Sequence, residues 1–414
     1  MKTKHIITRL GDQKGATAVV VALSMFALVG MAALAIDLSH LYVVKNELQN
    51  AADAGALAGA RVLYNDEGTS VNTGANLVAR QAAMTNASEK VAVEVRWTGD
   101  NMTGDVQRGH WEFSTRFFTP NSATAPVDLW DLSTEELDAN TDFINAVRVT
   151  ARRSDTPAAS FFARIFGYDS FQMQATAVAY IGFAGTLTPA DVDQPIAICK
   201  ESITNGDGDY DCSIGRMINS GQNEATNETG GWTSFSQDDP CTGGTNAQQV
   251  SSLICSGGNP DMIRLGQAMA TNGGEIQSAF NQLIDCWNTE SNSHTRSWNL
   301  TLPVVTCPGN NVGTCEQVVG AVNVDIVWIT GAGEDPGFNN APTQMDGWSN
   351  SSPDGSVRWN DFVTHFGLQN QDGTSAPYAK KSIYFKPNCT AHDPEGVSGG
   401  ENFGILAKIP VLVQ

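Results

Sequence analysis

A chain of 414 residues with 41 % hydrophobic content is long enough for two or three cored domains, which excludes a globally disordered protein. Lys2, Lys4, Arg9 and Lys14 against Asp12 leave the first 36 residues at +3, so with −20 for the whole chain the remainder carries −23. An acidic body repels phosphate backbones and no basic stripe interleaved with aromatics offsets it, so no nucleic-acid partner is expected.

Residues 1–14 form a basic tail, and Gly15–Ile36 follows as "GATAVVVALSMFALVGMAALAI", 22 residues without a charge. As a helix that is about 33 Å long at 1.5 Å per residue, enough to cross a hydrocarbon core of about 30 Å. A secretory signal peptide begins in the same way, but its apolar core is only about 7 to 15 residues and ends at a break. Here the helical pattern runs on without proline into Asp37. Lysine and arginine stay on the cytoplasmic side. A single-pass protein of a bacterial cytoplasmic membrane is therefore expected, with its N-terminus cytoplasmic and residues 37–414 periplasmic or extracellular.

Residues 37–63, "DLSHLYVVKNELQNAADAGALAGARVL", continue as a stalk helix whose face is large and apolar at first and small afterwards. Ala51, Gly55 and Gly59 recur every four residues, a row that lets another backbone approach closely. Glycine costs up to about 1 kcal/mol in a helix interior, so helix packing is the expected compensation. The plain alternative is a solvated, alanine-rich stalk. The order of residues from Gly15 to Arg61, with Asp at the outer end of the span, then "LY", "LQNAADA" and "ALAGA", resembles the N-terminal signature of Tad-like Flp pilus-assembly proteins, the TadG-like group. That resemblance implies a single-span component of pilus-building machinery, packing through its helix with other pilus-assembly proteins. Pilin-type precursors are cut after a glycine and keep a glutamate at the fifth mature residue. The matching position here is Val20, which implies a retained anchor.

Residues 64–183 are expected to form a small α+β domain. A helix over Gly74–Ala87 precedes alternating, strand-like runs at Lys90–Trp97, His110–Phe118, Asn145–Arg153 and Met173–Phe183, with a short helix "AASFFARIFG" between the last two. "HWEF", "AVRVTARR", "FFARIFG" and "ATAVAY" resemble the extracytoplasmic part of the same family. Beyond residue 184 the composition turns to Gly, Asn, Ser, Thr and Cys. Strands are expected at Leu302–Thr306, Val322–Thr330, Ser382–Phe385 and Ile405–Val413, and an amphipathic helix at "GEIQSAFNQLIDCW". The expected fold class is α+β: a transmembrane helix continuing into a stalk, a small α+β domain, then a β-rich, disulfide-stapled domain over 184–414.

All eight cysteines lie in that last part: Cys199, Cys212, Cys241, Cys255, Cys286, Cys307, Cys315 and Cys389. None forms a CxxC pair, so disulfides in an oxidising compartment are expected rather than zinc. Cys307 with Cys315, and Cys199 with Cys212, are the pairings suggested by short intervening loops. The one pattern that points to an ion is "NGDGDYD", where Asn205, Asp207, Asp209 and Asp211 alternate with flexible residues, as calcium ligands can. Tyr210 and Arg216 occupy the glycine and glutamate places of an EF-hand, so that loop type is excluded, and a plain Asp/Gly turn is the competing reading.

No HExxH, Walker or dinucleotide pattern occurs, and no catalytic residue is assigned. The expected function is a non-enzymatic, membrane-anchored component of a Tad/Flp pilus-assembly system. A membrane-anchored surface adhesin or ligand-binding module is the alternative.

Overall fold

The computed structural model describes residues 14–65, 70–129, 131–213, 215–219, 230–238, 241, 243–273, 276–307, 312–331, 338–370, 373–388 and 396–414. Span and stalk are one element, α1 (Lys14–Arg61), 48 residues long. Nothing in it breaks a helix, because it contains no proline and its glycines are isolated. Residues 17–36 are almost wholly exposed, whereas Val44, Leu48, Ala51, Ala52, Ala56 and Ala60 are buried. One helix therefore serves two environments.

Helix α2 (Ala75–Met84) folds back along α1 and buries Ala75, Ala79 and Ala83 against it. Behind both lies a five-stranded antiparallel sheet in the order Val411–Leu412, Ser170–Tyr180, Ala146–Ala159, Val106–Glu112, Phe117–Pro120. Its first strand comes from the end of the chain, and Leu406 and Ala407 enter the same core. Helix α3 (Thr134–Ala139) starts with a capping box of Ser133 and Glu136 and buries Leu137.

The second half is built on a seven-stranded sheet in the order Ala268–Asn272, Gly230–Thr233, Ile196–Cys199, Trp298–Val305, Cys315–Ile329, Ser382–Pro387, Arg216–Asn219. Every pairing in it is antiparallel except Trp298–Val305 with Ile196–Cys199. Helix α4 (Ala247–Leu253) meets α5 (Gln277–Glu290), and α5 with α6 (Gly355–Phe366) supplies Phe280, Leu283, Trp287, Trp359, Phe362 and Phe366 to the core over the sheet. A three-stranded sheet, Ile263–Arg264, Phe183–Leu187, Val397–Gly400, completes the unit. The architecture is α+β, with the disulfides in the β-rich half.

Three expected strands differ. The run His110–Phe118 is a hairpin, not one strand: Val106–Glu112 turns into Phe117–Pro120 through Arg116, whose φ is +55°. The run Lys90–Trp97 keeps only two strand residues, Val91–Ala92, and an isolated bridge between Glu94 and Arg152. Its Glu94 carboxylate instead accepts the amides of Ser154, Asp155 and Thr156, where the neighbouring strand bulges. Of Ile405–Val413 only Val411–Leu412 is a strand.

Candidate functional site

The outer half of α1 is where sequence, packing and position meet. A Cβ on Gly59 would lie 2.7 Å from Ala79 Cβ and 2.9 Å from Val147 Cγ1, and one on Gly55 would lie 2.9 Å from both Ala83 Cβ and the Ala79 carbonyl. Alanine and glycine stand here because α2 and the Ala146–Ala159 strand press on this face. Ala51 is fully buried in the same core. The expectation that Ala51, Gly55 and Gly59 meet helices of other proteins is corrected in its partner: the close contact is made within the chain. The solvated-stalk alternative falls for the same reason.

Below this seam the two longest strands of the sheet run down α1. Gly59 faces Val147 and Gly55 faces Val149. Further down, Gln49 Nε2 donates to the Thr176 carbonyl at 3.3 Å and Lys45 Nζ to the Gln174 carbonyl at 2.6 Å. At the bottom is Asp37, whose carboxylate accepts the amides of Phe161, Phe162 and Ala163 at 2.8, 3.1 and 2.6 Å. These three amides open the 3-10 turn Ala163–Phe166 at the tip of the hairpin, so Asp37 caps it from another element. Burial alone would push the Asp37 carboxyl up, but the three amides and nearby His40 hold it below the usual carboxylate range. His40 in turn bonds Glu89 and sets its ring edge-on to Phe161 at 4.8 Å. This clamp is not foretold by any motif. Its one sequence signal is an aspartate placed directly after an uncharged span.

The residues expected to bind calcium are not assembled as a ligand set. Asp211 is buried and paired with Arg216 at 3.1 Å. The Asn205 side-chain oxygen accepts the amides of Asp207 and Asp209, as in an Asx turn, and its amide donates to Asp131 at 2.7 Å. Among the described residues Asp207, Asp209 and Asp211 do not gather as a trio of metal-binding groups. The Asp209 carboxyl is pushed above its ordinary range by burial and then by repulsion from Glu136, Asp207 and Asp131, with Lys200 opposing. Asp207, Asp209, Lys200, Glu401 and the start of α3 line a cavity of about 440 Å³.

The expected cysteine pairings are also corrected. The bonds are Cys199–Cys307, Cys241–Cys315 and Cys255–Cys286, with Cα separations of 5.5, 6.1 and 6.5 Å. Parallel pairing of Val305 with Cys199 explains the first, because it carries the chain end at Cys307 past Cys199. Contact between α4 and α5 explains the third. Cys212 is disulfide-bonded too, and Cys389 lies outside the described residues.

Comparison with known proteins bears directly on the clamp and seam. The family described as Flp pilus-assembly TadE/G-like matches residues 15–62, which is α1, and that described as Tad-like Flp pilus-assembly matches residues 58–179, which takes in α2, α3 and four of the sheet's five strands. No curated protein and no solved structure matches the chain. The two matches together run unbroken over residues 15–179, the helix and most of the domain packed on it, and this part of the chain belongs to the Tad-like Flp pilus-assembly family.

Proposed function

We propose that the chain is a non-enzymatic, single-pass component of a Tad/Flp pilus-assembly system, its N-terminus cytoplasmic and its body periplasmic or extracellular. The observation that carries this is the division of α1. Its first part is exposed, apolar and long enough to span a membrane, and its second part is core of the domain that matches the family. Any force or tilt on the span is thereby passed to the body through continuous helix rather than a flexible linker.

Because Gly55 and Gly59 are covered within the chain, association with other assembly proteins through the helix falls to residues 17–36. Photo-crosslinkers placed singly at Leu23 and Phe26 in piliated cells are expected to trap pilus-assembly proteins, while one at buried Ala52 traps only the chain itself. Recovering only lipid adducts from Leu23 and Phe26 would remove the helix-association reading.

The second reading, an anchored adhesin or ligand-binding module, rests on the separate core that residues beyond 184 build outside the family match. Deletion that leaves pili intact but abolishes attachment would favour it. Calcium at the loop of Asn205, Asp207, Asp209 and Asp211 would need these side chains to rearrange from their ungathered arrangement, and a rise in melting temperature at millimolar calcium would support it.

A further inference from the structure

We infer that the hairpin tip at residues 161–168 is seated in the outer leaflet of the bilayer beside the span, so that the body lies against the lipid surface. The inference rests on the reading of α1 as a membrane span and adds a second contact to it. Four large apolar side chains crowd this one tip in the open: Phe161 is 51 % exposed, Ile165 75 %, Phe166 80 % and Tyr168 62 %. Soluble surfaces seldom gather such groups without a partner.

Where the tip points is settled by its partners on the helix. From Gly59 to Asp37 the contacts step down α1 in register with the hairpin, a distance of about 33 Å at 1.5 Å per residue. The last of them is to the first charged residue after the uncharged span. The turn is therefore held near the depth where hydrocarbon gives way to headgroups when α1 crosses the bilayer. Tyr42, on the next turn of α1 and also exposed, adds a ring at that level. Aromatic side chains with one polar end favour this boundary. Arg164 is exposed on the same turn and supplies a cation for lipid phosphates.

The test uses the full chain purified into vesicles of phosphatidylethanolamine and phosphatidylglycerol. Among the described residues no cysteine is free, so an added thiol can be labelled selectively. A nitroxide on Phe166→Cys, and separately on Phe26→Cys, is read by its collisions with oxygen and with a water-soluble nickel chelate. The expected result is loss of chelate contact at both positions, with oxygen contact kept. A shielded label at position 26 with a water-like one at 166 overturns the lipid contact and leaves the anchor standing. A water-like label at position 26 removes the anchor reading, and the lipid contact with it. Shielding at 166 that disappears on diluting the protein in lipid, or that occurs only in native membranes, assigns the tip to a second copy or to a protein partner and overturns the proposal.

Discussion

Replacing Gly59 with leucine is expected to lower the melting temperature of the family-matched domain by about 6 to 12 °C. A Cβ at this position already falls 2.7 Å from Ala79 Cβ, 2.9 Å from Val147 Cγ1 and 3.4 Å from the Ala75 carbonyl. Two of those neighbours are stiff parts of α2, and the third stands on the central sheet, so α1 and α2 must separate to admit three further carbons. Overpacking of this kind costs about 3 kcal/mol at its upper end, and the gain in helix propensity of about 1 kcal/mol offsets only part of it. Separation also removes contacts that bury Ala56 and Ala60. The matched control is Gly30→Leu, since a Cβ there meets nothing within 4 Å. Thermal unfolding of both variants in detergent should show the fall for Gly59 alone. Equal melting temperatures would mean that α2 does not pack on this face.

The second large effect is expected from Cys199→Ala with Cys307→Ala. This bond joins two neighbouring strands of the large sheet across 108 residues. By chain entropy a loop of about 100 residues contributes about 4.7 kcal/mol, and removal of native disulfides typically costs about 2 to 5 kcal/mol. Alanine avoids placing a hydroxyl among Val305, Val318 and Ala321, which pack around these cysteines. The Cys255–Cys286 bond closes only 31 residues, so its removal should cost about 1 kcal/mol less on the same reasoning. Denaturant unfolding of the two double variants checks the order. If removing Cys255–Cys286 costs more, strain or local packing governs these bonds and loop entropy does not.

How much of this was legible follows from the range of each interaction. The span, the stalk and the strands Ala146–Ala159 and Ser170–Tyr180 announce themselves by local periodicity, because apolar side chains recur with the helix or strand. The small-residue row announces close contact, yet composition is silent on what makes it. Only the return of α2 along α1 answers that. Pairing of Cys199 with Cys307 depends on a parallel register between strands about a hundred residues apart, which loop length alone misjudges. The turn at Arg116 has no glycine or proline to mark it, so a hairpin reads as one strand. Helix α6 carries fair signals, Asp354 at its N-cap and Gly367 in the left-handed conformation at its end, but sits in a Gly-, Ser- and Asn-rich stretch that hides it. The Asp37 clamp is tertiary: its acceptor and donors are 124 to 126 residues apart.

The account stands on α1 carrying the body out of the cytoplasm with its basic end left inside. The direct measurement is thiol labelling of the full chain in spheroplasts with a membrane-impermeant maleimide, using Lys4→Cys and Lys408→Cys, the latter at an exposed position. Labelling at 408 before lysis, and at 4 only after it, is the predicted result. Labelling at 4 and not at 408 in intact spheroplasts, or at neither until lysis, would contradict it.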